Sequence, residues 1–283
     1  MDVKRIKEAA EGCLMEQVEL LKEFARVDCE SKDIEGNRRV VDIAKRVLSD
    51  IEGIEIKEDF FEGTGAHIVA RICPERPEGK IVVNCHMDTV FPKGFAEKNP
   101  PFIDEDNWLH GLGVGDCKGG FAVSAYAIKI ASMLGLLPNK EIIMIYSCDE
   151  EIGSITSSVV FEKEAQGAEC AFVFEGAVKT DKGYGIVTQR RGVILGALDI
   201  KGVEAHAGGA YLQGHSAIKE LAHKILKYYS FNDYEREIYY NVAPISGGRP
   251  YGILRCGASD KRQFCRGRGK YTLPCRDKRG PCM

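Results

Sequence analysis

Ile81-Val82-Val83-Asn84-Cys85-His86-Met87-Asp88 runs from a nearly unbroken apolar stretch straight into a histidine and an aspartate. A strand that is apolar at successive positions is covered on both faces, as in parallel sheets sandwiched between helices. Two further stretches have the same form. Ile142-Ile143-Met144-Ile145-Tyr146 leads through Ser147-Cys148 into Asp149-Glu150-Glu151, and Ala171-Phe172-Val173-Phe174 leads into Glu175. Helical patterns alternate with these strands, so the expected fold class is α/β: a mostly parallel sheet with helices on both faces. Such sheets bind ligands outside the carboxyl ends of their strands, where the histidine and the acids fall.

Working outward, Ile6, Ala9, Ala10, Cys13, Leu14, Val18, Leu21 and Phe24 are spaced for one long helix over residues 3–26. Asn37 is placed to cap a second helix reaching residue 48, with Val40, Val41, Ile43, Ala44 and Val47 on its inner face. Residues 54–60 alternate as a half-exposed strand, and 66–72 read as another, separated from 81–85 by the turn at 74–79. A loop rich in Pro and Asp covers 91–109, long enough to carry function. Gly119-Gly120 opens an apolar helix to about residue 134, 154–164 reads as a helix and 171–174 as a buried strand. From residue 185 the pattern changes to a strand (192–200), a Gly-rich loop (202–214), a helix (216–229) and a strand (237–245). That succession predicts a smaller α+β unit with its own sheet. The expected division is 1–184, 185–253 and an aberrant tail from 254 to 283.

The 283 residues are 44% hydrophobic with a mean hydropathy of −0.20, enough apolar content for a core. No apolar run is long enough to span a membrane, and the charged N-terminus lacks the core of a signal peptide. Seven cysteines precede residue 255 without a Cys-x-x-Cys pair, which predicts reduced thiols in a cytoplasmic protein. Residues 255–283 hold nine of the 39 Lys and Arg and two of the 42 Asp and Glu. The remainder, 30 basic and 40 acidic residues, is an acidic body that gives no sign of nucleic-acid binding.

One imidazole and several carboxylates converging from separate strand ends make a site for hard or borderline divalent cations. His86 and Asp88 face the same side of an extended chain, so Asp88 is placed to accept from the ring nitrogen that is not on a metal. Asp116, set between Gly115 and Gly119-Gly120, is placed to bridge two cations. In Asp149-Glu150-Glu151, one glutamate is placed to hold a metal while its neighbour takes a proton from water, the inventory of metal-assisted hydrolysis. Each motif alone has a plainer explanation: a core histidine beside a turn aspartate, a Gly-rich helix cap, an acidic first helical turn, or a surface acid. Gly111-Leu112-Gly113-Val114-Gly115 lacks the preceding strand of a dinucleotide loop. Four such sites in order outweigh the plainer explanations.

These motifs resemble the co-catalytic zinc metallopeptidase family that includes aminoacylase, acetylornithine deacetylase, succinyl-diaminopimelate desuccinylase and the glutamate carboxypeptidases. The resemblance lies in His86-Met87-Asp88-Thr89-Val90, Gly113-Val114-Gly115-Asp116-Cys117-Lys118-Gly119-Gly120, Asp149-Glu150-Glu151-Ile152-Gly153-Ser154 and Phe174-Glu175-Gly176-Ala177. Gly202-Val203-Glu204-Ala205-His206-Ala207-Gly208 resembles the histidine loop of the family's lid domain. The resemblance implies two Zn2+ per complete site, with Co2+ or Mn2+ as substitutes. His86 and Glu175 would hold one ion, Asp116 would bridge, and Glu151 would hold the second. Glu150 would be the general base, Asp88 the partner of His86, and His206 the oxyanion donor, reaching the partner subunit of a homodimer formed through the lid. The implied reaction is hydrolysis, by zinc-activated water, of an amide or peptide bond next to a free carboxylate. The implied substrate is a small peptide or N-acyl amino acid.

The family's last zinc-ligating histidine lies near its C-terminus, whereas the last histidine here is His223. The stretch 255–283 instead carries four cysteines, nine basic residues and almost no apolar periodicity. A zinc site from Cys256, Cys265, Cys275 and Cys282 lacks short Cys-x-x-Cys turns, and a nucleic-acid tail is a further alternative. The favoured expectation is a shifted reading frame beyond about residue 252. A catalytically impaired remnant that only dimerises or binds peptide is the rival to the enzyme.

Overall fold

The computed structural model describes residues 3–246 apart from 182, 190, 191, 195, 207, 208 and 244. The expected tail from 254 to 283 lies outside the described residues. The chain divides into two compact units after Gly185.

The first unit begins with α1 (Val3–Gly12), α2 (Leu14–Ala25) and α3 (Ile34–Leu48). The helix expected over 3–26 is therefore two, parted at Cys13, whose ψ of 0° leaves the helical range just after Gly12, a weak helix former. The expected cap of α3 is also corrected. Asp33, not Asn37, accepts the Gly36 N–H at 3.1 Å. Asn37 is buried within the helix and donates from Nδ2 to the carbonyls of Glu30 and Ser31.

Next come β1 (Glu55–Asp59), β2 (His67–Ile72), β3 (Lys80–His86), the short α4 (Phe95–Lys98), β4 (Phe102–Ile103), β5 (Leu109–His110) and α5 (Gly119–Met133). They are followed by β6 (Glu141–Ser147), α6 (Ser157–Glu164), β7 (Cys170–Val173) and the small hairpin β8 (Val178–Thr180) and β9 (Gly183–Gly185). The main sheet has the order β1-β2-β6-β3-β7. β3 pairs in parallel with β6 and β7, while β2 runs antiparallel to β1 and β6. Four of the five strands thus point the same way. His86 stands opposite Ser147, and the Phe174 N–H donates to the Asn84 carbonyl, so the carboxyl ends of β3, β6 and β7 finish side by side.

Alternation along the strands assigns the faces. Ile68, Ala70, Val83, Cys85, Ile142, Met144 and Tyr146 point into the main core beneath α2, α3 and α5. Val69, Val82, Ile143 and Ile145 point to the other face, where Val160 of α6 covers them. Phe24 and Phe121 meet edge to face at 5.2 Å between ring centroids in the main core. Burying each such ring stabilises the fold by roughly 1.5–3 kcal/mol.

β7 departs from the expected buried strand: Phe172 is 54% and Val173 59% exposed. Its place at the end of the strand order leaves it paired with β3 alone among the described residues, and neighbours decide burial more than apolar content does. The helix expected from Ser154 starts three residues later, because residues 150–152 form a separate 3-10 turn.

In the second unit, α7 (Ala217–Tyr229) is capped by Ser216, whose Oγ accepts the Lys219 N–H at 3.1 Å. Its described residues hold isolated bridges, Val203 with His215 and Asp233 with Ile238, rather than the expected strands over 192–200 and 237–245. A strand is defined by a continuous ladder of pairing, and these bridges are single rungs. No helix among the described residues is long and apolar enough to cross a membrane.

Candidate metal centre

The turn at residues 86–88 carries β3 out of the sheet, and the Met87 N–H bonds to the Ser147 carbonyl at 2.8 Å. His86 is 2% exposed at this point. Its Nδ1 lies 3.0 Å from the Asp88 carbonyl oxygen and 3.3 Å from Asp88 Oδ1, acceptors that hold a proton on Nδ1 and leave Nε2 facing outward. Around Nε2 stand Asp116 Oδ1 at 3.0 Å, Glu175 Oε2 at 3.8 Å and Glu150 Oε2 at 4.0 Å. The structure therefore brings His86, Asp116, Glu150 and Glu175 together from four chain segments. Donor atoms of His86, Asp116, Glu175 and Cys117 all lie within 4.8 Å of one another. Glu151, expected to hold a second ion with Asp116, is not in that cluster.

The three consecutive acids separate by role. Asp149 is buried, and its Oδ2 accepts from the N–H groups of Thr156 and Ser157 and from the Thr156 hydroxyl, so it ties down the start of α6. Glu150 reaches toward the cluster, with Oε2 4.0 Å from His86 Nε2, and Glu151 lies within the field of Asp116 and His86; their own N–H groups donate to Asp88 Oδ1 and Oδ2 at 3.2 Å each. Asp88 is fully buried and its Oδ2 also accepts the Ser31 hydroxyl at 2.6 Å. One carboxylate thus fixes the imidazole and both glutamates.

Sequence reasoning missed Ser31 and Cys117. Ser31 sits 57 residues from Asp88 in a loop with no motif of its own; the buried Asn37 that grips the same loop was the only local signal. Cys117 was visible in its motif but carried no assigned role. His206 lies in the second unit, where its Nδ1 accepts the Gly209 N–H at 3.0 Å.

The charges indicate what the cluster suits. Burial opposes a charge on His86, but the hydrogen bond to Asp88 and the field of Cys117, Asp88 and Glu175 outweigh it and push its pKa up to about 10. Glu151 is raised to about 7, first by burial and then by the Asp116 charge. Glu150 is raised as well, by burial and by Glu175, Asp88 and Asp116, against the pull of His86. Glu150 and Glu151, crowded until they resist ionising, beside an outward-facing ring nitrogen fit a divalent cation.

A pH dependence follows. The folded pKa values of His86 and Glu151 stand above their ordinary 6.5 and 4.5. The stability each contributes without metal is complete below its ordinary value and is lost as pH rises through the folded one. For Glu151 that window runs from 4.5 to about 7, and for His86 from 6.5 to about 10. Metal-stripped protein should therefore melt at progressively lower temperature across this range. A bound cation must displace the same protons, so metal affinity should rise with pH. Calorimetric melts with chelator check the first point, and a chelated chain whose melting temperature rises from pH 6 to 9 would refute it.

Gly120 offers a second check. A Cβ there would sit 2.0 Å from the Phe174 carbonyl oxygen, immediately before Glu175. Gly120→Ala should force α5 away from the Glu175 segment, destabilise the fold by about 1–3 kcal/mol and weaken metal binding. Thermal melts and metal titration of the variant measure both effects.

A strand-end cluster of one imidazole and several acids on an α/β sheet defines the class, a candidate divalent-metal centre. Residues 82–255, more than half of the chain, match the pattern of peptidase family M20/M25/M40, and the chain belongs to that family. Carboxypeptidase G2 of Pseudomonas sp. (strain RS-16) is 26% identical over 244 residues, covering 86% of this chain and 58% of that protein. Succinyl-diaminopimelate desuccinylase of Shewanella pealeana is 27% identical over 215 residues, covering 69% and 54%. The chain thus spans a little over half the length of these relatives. Among solved structures, aminopeptidase PepT from Bacillus cereus superimposes with a TM-score of 0.64 at 22% identity, over 91% of this chain and 65% of that one. The M20 family metallo-carboxypeptidase Sso-CP2 from Sulfolobus solfataricus does so with a TM-score of 0.60 at 19% identity, over 93% and 72%. These superpositions establish the shared α/β fold.

Proposed function

We propose that this chain is the metal-binding part of a hydrolase that cleaves an amide or peptide bond next to a free carboxylate, in a small peptide or N-acyl amino acid. The observation that carries the proposal is the convergence of Asp116, Glu150 and Glu175 on His86 Nε2. Relatives named a carboxypeptidase and a desuccinylase support the substrate class.

His86 and Glu175 would hold one ion, Asp116 would bridge, and Glu151 would hold a second; Zn2+ suits the mixed nitrogen and oxygen donors, with Co2+ or Mn2+ as substitutes. A bound divalent cation supplies polarisation of the scissile carbonyl and a lower pKa for water. Glu150 Oε2 takes a proton from the attacking water and returns it to the leaving nitrogen; its raised pKa brings it nearer the working pH of such a base. Asp88 keeps the His86 ring oriented and holds both glutamates through their backbone. His206 is assigned to the charge that develops on the carbonyl oxygen, within a homodimer formed through the 185–253 segment, on the resemblance of its loop.

The test is metal content and turnover of the purified chain on N-acyl amino acids and dipeptides, beside the same compounds amidated at the carboxyl end. Hydrolysis confined to substrates with a free carboxylate is the expected result. Equal cleavage of capped substrates would overturn the substrate class, and a chain that binds metal without turnover would overturn the catalytic reading.

A further inference from the structure

We propose that Cys117 is a sulfur donor to the cation of this centre and makes the site selective for thiophilic divalent metals; the inference rests on the metal-centre reading above. Cys117 follows Asp116 in the turn that enters α5 and is 1% exposed. Its Sγ donates a hydrogen bond of 2.7 Å to the carbonyl of Phe174, the residue before Glu175. The same sulfur shares the 4.8 Å cluster with donor atoms of His86, Asp116 and Glu175.

The geometry is that of a four-donor site with one nitrogen, two carboxylates and one sulfur. Metal–ligand bonds of about 2.0–2.3 Å place tetrahedral donors roughly 3.5 Å apart, so the cluster needs only a modest contraction to close on an ion. To reach that spacing Glu175, 3.8 Å from His86 Nε2, moves in slightly, while Asp116, at 3.0 Å, opens slightly to admit the ion. A thiol loses its proton when it coordinates such a cation. The proton now directed at the Phe174 carbonyl passes to solvent, and the sulfur lone pair takes the metal. Oxygen donors alone suit Mg2+ or Mn2+, whereas a thiolate in the set shifts preference toward Zn2+, Co2+ and Cd2+. The competing account is an inert buried thiol whose one task is to tie the turn to the Phe174 carbonyl.

Titration of the full chain with Co2+ separates these accounts. Visible ligand-field bands report a bound ion, and a near-ultraviolet sulfur-to-cobalt charge-transfer band reports thiolate ligation. The expected result is both signals in the parent chain and the visible bands alone in Cys117→Ser. In competition assays the variant should lose Cd2+ affinity by at least the roughly 10–100-fold that removing an ordinary supporting partner costs, with Mn2+ affinity little changed. Visible bands without charge transfer in the parent, or a charge-transfer band that persists in Cys117→Ser, would overturn the proposal and leave the metal centre standing. No visible bands at all would overturn the metal-centre reading itself. Should Cys117→Ser fail to fold, the parent chain still decides: binding Mn2+ as tightly as Cd2+ counts against a sulfur donor.

Discussion

Glu150→Ala is expected to reduce turnover by about 10²–10⁴-fold, the range for loss of a general base, while metal stoichiometry stays as in the parent chain. Glu150 is half exposed and reaches to 4.0 Å from His86 Nε2, beside the candidate metal cluster without being one of its clustered donors. Its backbone is held by Asp88 through the N–H group, which the substitution retains. The loss should therefore fall on kcat, with folding and metal loading preserved. Metal analysis beside steady-state kinetics checks it. A halved metal content in the variant would mean that Glu150 is the ligand and Glu151 the base.

Asp88→Asn should damage binding and stability together. The carboxylate is fully buried and serves Ser31, Glu150 N–H and Glu151 N–H, with His86 Nδ1 at 3.3 Å from Oδ1. An amide of the same size keeps one acceptor oxygen and turns the other position into a donor, which confronts either the glutamate N–H groups or the imidazole. Each stranded buried donor costs about 1–3 kcal/mol, and loss of the partner that orients a metal-binding histidine costs roughly 10–100-fold in metal affinity. Chelated melts measure the first effect and metal titration the second. Unchanged affinity would remove Asp88 from the support of His86.

Much of this site was legible along the chain because its signals are local. Apolar runs at 81–85 and 142–146 ending in His86 and in Asp149-Glu150-Glu151 announce buried strands with polar ends, and Gly119-Gly120 announces the helix that follows Asp116. Capping was harder. Asp33 and Asn37 both sit near the start of α3 with cap-forming side chains, and the choice went to Asp33 because the fold buries Asn37 against the loop at 30–31.

Residue pattern and spacing by themselves determined the α/β class, the polar strand ends, and the acids and histidine of the candidate cation site. Tertiary structure alone decided the strand order with β2 reversed and, among the described residues, β7 last, the inward turn of Asp149 beside outward glutamates, and the meeting of Ser31 with Asp88 and of Cys117 with Phe174. The physical reason is range. Periodicity and capping are settled within a turn or two of backbone, but a donor 57 residues from its acceptor finds it only when the sheet has closed the intervening loop, and no local preference encodes that pairing.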